Sequence, residues 1–477
     1  MAIPIIPLVV ATALFMENTD ASILATALPT IAADLGIDPI SLKLAVTSYL
    51  VSLAVFIPVS GWVADRMGAR TTFRIALAIF MAASIGCAYS SSLGQFVVWR
   101  AVQGLGGAMM VPVGRLVILR TVPKSELISA LAWLTIPALM GPVIGPPLGG
   151  FITTFVSWRW IFWINIPVGI LGVYLASHYV ANIREESLPP LDLKGFFLSS
   201  IGLAGLAFGF TTMGQGLFPP AAVIALFVVG AIGCVLYVRH ARTAPAPLLD
   251  LKLLKIDTFY ASVVGGFLYR IGVGAQPFLL PLLFQLGFGL SALHSGLLTF
   301  ASAVGAIAMK TAAAPILRRF GFRRVLVVNA VLSSLFIAAA ALFTETTPHS
   351  VILALLLAGG FFKSLEFTSI NSLAYADIES KAMSRATSFA SVAQQLSLSA
   401  GVAIGALVLE FERMGRENAT VVADDFPLAF IVVACLATSS ALVFFQLPKG
   451  AGTSLAARAR PVGPSAKAAA PPVEAGE

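Results

Sequence analysis

The chain has 477 residues, of which 58% are hydrophobic and 11% are charged, and it carries a formal net charge of +8. Ordinary soluble domains carry about 25% charged residues, so this composition excludes that class and indicates a protein that crosses a membrane several times. The three cysteines all fall in apolar stretches, which argues against a disulfide framework.

Hydropathy predicts fourteen apolar stretches of membrane-spanning length. In chain order they cover residues 5–31, 43–64, 73–89, 95–119, 127–155, 160–180, 195–213, 221–237, 259–286, 292–317, 325–343, 351–374, 386–410 and 427–447. The N-terminal segment has no basic region and no evident cleavage site, so we interpret it as a retained first helix. An even number of spans places both termini on the same side of the membrane.

The distribution of basic residues orients the chain. With both termini in the cytoplasm, 21 of the 30 Lys and Arg residues fall in cytoplasmic segments, and the outside loops hold only Lys43, Arg159, Arg413 and Arg416. Cytoplasmic loops of membrane proteins are enriched in Lys and Arg, so this asymmetry predicts cytoplasmic termini. The positive net charge then follows from topology, and no nucleic-acid partner is needed to explain it.

The spans are predicted to group as six, two and six. Both groups of six carry a basic turn between their second and third helices, at residues 65–70 and 318–324. Such repeats are typical of transporters whose substrate site lies between two halves. The predicted domains are an N-terminal six-helix half (1–182), a linker with an inserted two-helix hairpin (183–257), a C-terminal six-helix half (258–447) and a disordered cytoplasmic tail (448–477).

The fifth predicted span contains an unusual run of glycine and proline. Residues 141–150 hold four glycines and three prolines, where a membrane helix normally carries Leu, Val or Ile. Proline removes a backbone donor and glycine removes side-chain bulk, so this helix should kink and let a neighbour approach closely. The pattern indicates a moving part at the seam between the halves, formed by Gly141, Pro142, Gly145, Pro146, Gly149 and Gly150.

Four motifs, in order and in register, resemble those of the major facilitator superfamily. GWVADRMGAR at 61–70 resembles the signature between helices 2 and 3, RAVQGLGGA at 100–108 the fourth-helix motif, and residues 141–150 the fifth-helix antiporter motif. DASILATALP at 20–29 resembles the first-helix motif of the fourteen-helix drug:proton antiporter family 2. The resemblance extends over about residues 10–447 and implies an all-α membrane protein with the major facilitator fold and 14 transmembrane helices.

The resemblance also implies a function. It predicts a multi-pass exporter of the bacterial inner membrane that exchanges small amphipathic compounds or drugs for protons by alternating access. The proton motive force would drive it, so we expect no cofactor and no metal, a monomer in the lipid bilayer, and only protons and a small-molecule substrate as partners. No metal-ligand spacing and no nucleophile and base pattern points to an enzyme. Export of organic anions or their citrate-like metal chelates is the alternative, because five bases and three acids fall inside predicted spans.

The cytoplasmic signature predicts a gate. Asp65 lies at a predicted helix end with Arg66 and Arg70, and Gly61 and Gly68 flank it. A carboxylate there can pair with a cation or a helix N-terminus in one conformation only, which is a common switching device. The alternative is a positive-inside anchor with a capping aspartate, which would use the same residues.

Acids inside the first predicted span are candidates for proton coupling. An ionisable residue near the bilayer centre costs at least about 2.5 to 3.5 kcal/mol, so each needs a reason. Glu17 and Asp20 are three residues apart and therefore share one face of the helix. Asp20 occupies the acidic position of the family motif, whereas Glu17 lies outside it. Alternatively, buried hydrogen bonds or a basic partner hold the two acids.

Arg100 and Gln103 lie in the fourth predicted span. The resemblance links Arg100 to proton transfer, and because arginine does not release its own proton, its role would be to hold a carboxylate anionic. A structural ion pair is the alternative for Arg100. Gln103 can donate and accept hydrogen bonds, so it is a candidate substrate contact.

Three further embedded charges are predicted to bind substrate. Lys363 and Glu366 are three residues apart in the twelfth span, where they either neutralise each other or offer a place at which an anion or a proton competes. Arg270 lies in the ninth span between glycines and has no evident local partner. It could receive an anionic substrate or a carboxylate from the other half.

Overall fold

A computed structural model describes residues 5–121, 127–182, 184, 190–213, 218–379, 382–414 and 420–452. Within these ranges the secondary structure is helical and contains no strand. The long helices are α1 (Ile5–Leu35), α2 (Lys43–Met67), α3 (Ala69–Ala88), α4 (Leu93–Thr121), α5 (Leu127–Phe155), α6 (Trp160–Tyr179), α7 (Leu193–Thr212), α8 (Pro220–Thr243), α9 (Asp257–Gly287), α10 (Ala292–Phe320), α11 (Phe322–Ala339), α12 (His349–Leu373), α13 (Met383–Arg413) and α14 (Phe426–Phe445).

Most of these helices have the length and composition of membrane spans. Among the described residues, 13 helices are long and apolar enough to cross a bilayer, and α5 contributes a shorter apolar segment, Val143–Phe155. The all-α class that the resemblance implied is confirmed for the described residues. The fourteen-span count and the cytoplasmic location of both termini stay predictions.

The first six helices and the last six pack in the same order. Within α1–α6, the first helix packs on the fifth, the second on the fourth and the third on the sixth, and α9–α14 repeat these pairs. We call these groups the N-set and the C-set. The two sets meet at two equivalent contacts, α2 with α13 and α5 with α10, and α1 touches α9 between them. This pseudo-twofold arrangement leaves a space along α1 and α9 between the sets.

The basic turns of the two sets have the same local geometry. Gly68 separates α2 from α3 with φ of 94°, and Gly321 separates α10 from α11 with φ of 75°. Both lie in the left-handed region that glycine adopts without a steric cost. In both turns the glycine N–H donates to the carbonyl four residues earlier, at 2.9 Å. The repeat seen in the sequence therefore corresponds to a repeated helix end.

Helices α7 and α8 form a close hairpin outside the two sets. A Cβ on Gly202 or Gly205 would lie 2.8 Å from an atom of α8, and a Cβ on Gly233 would lie 2.7 Å from the backbone of α7. Small residues permit this approach of two membrane helices. The hairpin packs on both α2 and α13, so it covers the contact between these two helices on the side that faces away from the space between the sets.

Candidate functional site

Asp20 lies in the middle of α1, where three side chains donate hydrogen bonds to it. Arg100 Nη1 lies 2.7 Å from Asp20 Oδ2, and Gln103 Nε2 and Asn165 Nδ2 lie 3.0 and 2.8 Å from Oδ1. All four side chains are buried. A buried carboxylate is costly unless it is paired and hydrogen-bonded, and Asp20 meets both conditions.

Ser84 of α3 completes this group. Its Oγ accepts from Gln103 Nε2 at 2.9 Å and from Asn165 Nδ2 at 3.1 Å, and it donates to the carbonyl of Phe80. Side chains of four helices, α1, α3, α4 and α6, thus form one hydrogen-bonded group around the Asp20 carboxylate, and Ser84 joins it through Gln103 and Asn165. We call Asp20, Ser84, Arg100, Gln103 and Asn165 the Asp20 cluster.

Arg100 is held between the carboxylate and an aromatic ring. Its guanidinium carbon lies 4.3 Å from the centroid of the Tyr49 ring, a cation–π distance. It also lines a hollow of about 230 Å³ between the sets, whose other walls are mainly apolar residues of α1, α2, α9 and α13. The ion pair with Asp20 suits either predicted role, and Arg100 connects the Asp20 cluster to the space between the sets.

Glu17, one turn before Asp20, faces a different environment. It lines a cavity of about 370 Å³ between the N-set and the C-set. Its Oε2 atom is buried and, among the described residues, has no hydrogen-bond partner. No Lys or Arg lines the cavity in the described part of the chain, and the remaining polar lining is Asn18, Asn371, Tyr375, Ser391, Gln394 and Gln395.

Two ion pairs join the sets at the predicted outer surface. Lys43 Nζ, at the start of α2, lies 2.9 Å from Glu410 Oε1 of α13, and Arg413 Nη1 lies 2.6 Å from Asp38 Oδ2. Lys43 has 0% of its surface exposed, so its charge depends on this partner. The Glu17 cavity lies toward the opposite ends of α2 and α13. The structure is therefore closed on the predicted periplasmic side.

The glycine-rich segment of α5 contacts α1 along one face. A Cβ on Gly141 would lie 2.8 Å from Thr19 N, and one on Gly149 would lie 2.8 Å from Ile23 O. Gly145 lies between them and meets Ser22 of α1. Real Cβ atoms do not approach backbone atoms this closely, so these positions require glycine in the present packing.

The same segment also contacts the C-set. A Cβ on Gly150 would lie 2.5 Å from the carbonyl oxygen of Ala292 in α10, and Gly296 of α10 faces the Pro146 carbonyl. The side chain of Pro142 lies outside the described residues. The segment thus lies between α1 and α10, at one of the two contacts between the sets.

The cytoplasmic signature lies at the α2–α3 turn. Asp65 is half-buried, Arg66 is exposed, Arg70 is half-buried, and a Cβ on Gly61 would meet nothing within 4 Å. The turn at Gly68 packs against the side chain of Asn182, at the end of the N-set. The gating role of these residues stays a prediction.

Arg270 of α9 lies directly behind the cavity wall. It is 3% exposed, and its Nη2 donates to Asn371 Oδ1 at 2.8 Å. Its guanidinium carbon lies 5.1 Å from the centroid of the Phe367 ring. Asn371 and Phe367 both line the cavity, so Arg270 supports the wall and does not itself line it.

Lys363 and Glu366 point to different helices. Lys363 Nζ donates to Ser302 Oγ of α10 at 3.0 Å, whereas Glu366 Oε2 accepts from Asn329 Nδ2 of α11 at 2.8 Å. Neither residue is among those that line the cavity, and no ion pair joins them in the described structure. The self-neutralising pair considered from their spacing is not formed here. Gln103, another predicted substrate contact, belongs to the Asp20 cluster.

The sequence reasoning missed two members of the Asp20 cluster. Asn165 is a lone amide in an apolar span, and such residues are expensive in a bilayer, which is the signal that could have identified it. Ser84 gave no such signal, because serine is common between close-packed membrane helices. Among the described residues, no group of three or more His, Cys, Asp or Glu side chains could hold a metal ion.

The chain is similar to known proteins in both sequence and fold. The Major Facilitator Superfamily model matches residues 10–237 and 262–473. A relative from Escherichia coli O6:H1 (strain CFT073), named "Putative multidrug resistance protein MdtD", is 36% identical over 449 residues, covering 92% of this chain and 94% of the relative. Its namesake from Citrobacter koseri is 36% identical over 452 residues, with the same coverage.

Solved structures extend the likeness to the fold. The crystal structure of a D-xylose-proton symporter superposes with a TM-score of 0.67, covering 94% of this chain and 98% of that chain. The sequence identity is 16%, so this similarity concerns the fold alone.

Proposed function

This chain belongs to the major facilitator superfamily, and we propose that it exports small amphipathic compounds from the cytoplasm in exchange for protons. It is a multi-pass inner-membrane transporter and not an enzyme. The observation that carries the proposal is the buried Asp20–Arg100 ion pair, which lies beside the space between the two sets. A membrane-embedded acid that can gain and lose a proton at such a position can couple protons to movement of the sets.

The coupling step follows from the geometry of the Asp20 cluster. A proton on Asp20 removes the negative charge that Arg100 faces and weakens the hydrogen bonds from Gln103 and Asn165. Removing one partner of a buried ion pair typically costs about 3 to 5 kcal/mol. Moving a two-state equilibrium from 1:99 to 99:1 takes about 5.5 kcal/mol, so one protonation supplies most of the necessary bias. Arg100 transmits this bias to the two sets, because the Arg100 side chain lines the hollow between them.

The substrate class is inferred from the Glu17 cavity. Its volume of about 370 Å³ lies within the usual range for small-molecule sites. Glu17 offers a carboxylate oxygen that has no partner in the described part of the chain, and amides and hydroxyls line the cavity around it. Phe367 and Tyr375 supply aromatic faces for a cation. These features favour a cationic or hydrogen-bond-donating amphipathic compound.

Transport by inside-out vesicles tests this function. Vesicles that contain the protein and have an acidic interior should accumulate the cationic dye ethidium, and collapse of the pH gradient should release it. Vesicles prepared without the protein provide the background. Equal ethidium accumulation with and without the pH gradient would reject proton-coupled export.

Glu17→Gln should weaken ethidium binding by at least about tenfold, because a hydrogen bond to a charged group contributes about 1.5 to 3 kcal/mol. Glutamine keeps the shape of the side chain and removes its charge. Binding to the purified protein can be measured by calorimetry, with the uncharged compound chloramphenicol as the matched ligand. An equal loss of affinity for both ligands would show that Glu17 shapes the cavity and does not select charge.

An organic-anion substrate is the second candidate, and Arg270 favours it. Among the described residues this buried guanidinium has no carboxylate within ion-pair distance, and it contacts two residues of the cavity wall. A modest rotation of Asn371 would let an anion in the cavity reach it. The absence of Lys and Arg from the described cavity lining favours the cationic substrate instead.

Arg270→Gln separates the two candidates. If the substrate is a citrate-like anion, this change should reduce citrate transport at least about tenfold and spare ethidium, since a buried charge-assisted contact is lost. Lys310→Gln is the matched control, because Lys310 binds Thr368 away from the cavity. Citrate transport that is absent from the wild type, or equal in both variants, would eliminate the anion hypothesis.

A further inference from the structure

The C-set contains its own buried polar group, formed by Tyr269, Asn329, Ser333 and Glu366. Tyr269 of α9 shares a hydrogen bond with Ser333 of α11, and one turn away Asn329 of α11 binds Glu366 of α12. All four residues are at most 3% exposed. The group therefore joins the first, third and fourth helices of the C-set. In the N-set, α1, α3 and α4 contribute to the Asp20 cluster, so both sets hold a buried polar group on the same three helices. The carboxylate is on the first helix in the N-set and on the fourth helix in the C-set.

Glu366 differs from Asp20 because no cation in the described structure neutralises it. Glu366 is 0% exposed, and among the described residues no Lys, Arg or His lies within ion-pair distance of it. Lys363 of the same helix binds Ser302, and Arg270 of α9 binds Asn371. An ionised carboxylate without a counter-charge is far too costly at a fully buried position in a membrane protein. Glu17 differs, because it is half-buried and faces the polar lining of a cavity.

The hydrogen bonds around Glu366 lack one donor. Asn329 Nδ2 uses its two hydrogens on Glu366 Oε2, at 2.8 Å, and on the carbonyl of Phe362, at 2.9 Å. Glu366 Oε1 and Asn329 Oδ1 are both buried and have no donor among the described residues. Exchanging the amide oxygen and nitrogen does not help, because it would set an oxygen against the carboxylate. A single proton on Glu366 supplies the missing donor.

We propose that Glu366 is a second proton-binding site, so that each six-helix set carries one exchangeable proton during the transport cycle. The coupling to export rests on the function proposed above, whereas the bound proton rests on the geometry around Glu366. The proton site does not contact the cavity, so the substrate does not displace the proton directly. Changes in the packing of α10, α11 and α12 instead couple proton binding at Glu366 to substrate binding in the cavity.

Lys363 is suited to release this proton. It lies three residues before Glu366 on the same helix, at a spacing that allows an ion pair. In the present structure its ammonium is held by Ser302 of α10. A conformation in which α10 shifts away from α12 would free Lys363 to neutralise an ionised Glu366. The other ionisable or charged groups near this region are Tyr269 and Arg270 of α9, and Lys310 of α10, which binds Thr368.

Infrared spectroscopy of the purified full-length protein tests the bound proton. Near neutral pH the difference spectrum of wild type minus Glu366→Gln should show the carbonyl stretch of a protonated carboxylic acid, and this difference band should be lost at high pH. Glutamine supplies a permanent donor to Asn329, so we expect the variant to fold with at least the thermal stability of the wild type. In Lys363→Met, which retains the acid, the band should persist to higher pH. The same band in wild type and Glu366→Gln would overturn the proposal.

The number of protons exchanged per ethidium tests the coupling. Reversal potentials in proteoliposomes should show that Glu366→Gln halves this number while ethidium transport continues. An infrared band that does not change with pH, or an unchanged proton number, would make Glu366 a structural acid and overturn its coupling role. If the wild type carries no ethidium, the proposed function fails, and the infrared titration still decides whether Glu366 binds an exchangeable proton.

Discussion

Replacing Asp20 by asparagine should abolish proton-driven ethidium uptake into inside-out vesicles. Asparagine retains an oxygen that accepts from Gln103 and Asn165, but it cannot bind and release a proton. Exchange of labelled for unlabelled ethidium without a pH gradient should continue, because it requires movement of the sets and no net proton transfer. This combination identifies a coupling residue, whereas a purely structural residue would lose both activities.

The same substitution should lower stability without preventing folding. Arg100 loses its carboxylate and keeps Gln103 Oε1, at 2.6 Å, and the Tyr49 ring. Leaving a buried charge without its partner costs about 3 to 5 kcal/mol, which these remaining contacts reduce. Thermal unfolding in detergent would measure the change.

Asp34→Asn is the matched control for Asp20→Asn. Asp34 is also an α1 acid paired with an arginine, Arg159, at 2.8 Å, but both side chains are substantially exposed. Surface ion pairs contribute about 0 to 1 kcal/mol, so this variant should transport and unfold like the wild type. Undiminished gradient-driven uptake by Asp20→Asn, with normal amounts of protein, would contradict the assignment of Asp20.

The sequence was sufficient for features that depend on local composition. Spans follow from runs of apolar residues, because the bilayer requires a continuous apolar stretch regardless of the neighbours. The glycines of α5 could be singled out because glycine is unusual at that density in a membrane helix. The helices that they contact, α1 and α10, depend on the packing of both sets and could not be read from composition.

The ion pairs formed by the basic residues of the predicted outside loops could not be predicted. Of the four basic residues predicted to lie in the outside loops, three form ion pairs: Lys43 with Glu410, Arg159 with Asp34, and Arg413 with Asp38. In the sequence they were only exceptions to the positive-inside rule. Because Lys43 and Glu410 lie far apart in the chain, the sequence does not reveal this contact, which closes the predicted outer side of the transporter. Lys363 and Glu366 are close in sequence, and their spacing suggested an ion pair. In the structure they bind Ser302 and Asn329 instead.

A methyl group at the contact between α5 and α10 should prevent closure of the outer side. In Gly150→Ala the new Cβ would lie 2.5 Å from the Ala292 carbonyl oxygen and 2.7 Å from Leu293 Cα, and both are backbone atoms of α10. Flexible side chains can move away from such an overlap, but two packed helices have to separate. Export of ethidium should therefore fall at least about tenfold, while helix propensity alone would favour alanine by about 1 kcal/mol.

Cysteine labelling distinguishes loss of the closed outer side in Gly150→Ala from misfolding. Leu28 is 1% exposed and lines the hollow beneath the outer closure, so a Leu28→Cys reporter should be protected from a membrane-impermeant maleimide added outside. In a background with Cys234 and Cys435 replaced by serine, Gly150→Ala should raise labelling of this reporter at least about tenfold, because the closed state is lost. Gly94→Ala is the control, since Gly94 is exposed and a Cβ there meets nothing within 4 Å. Normal export with a protected reporter in Gly150→Ala would show that α5 and α10 can close without this glycine.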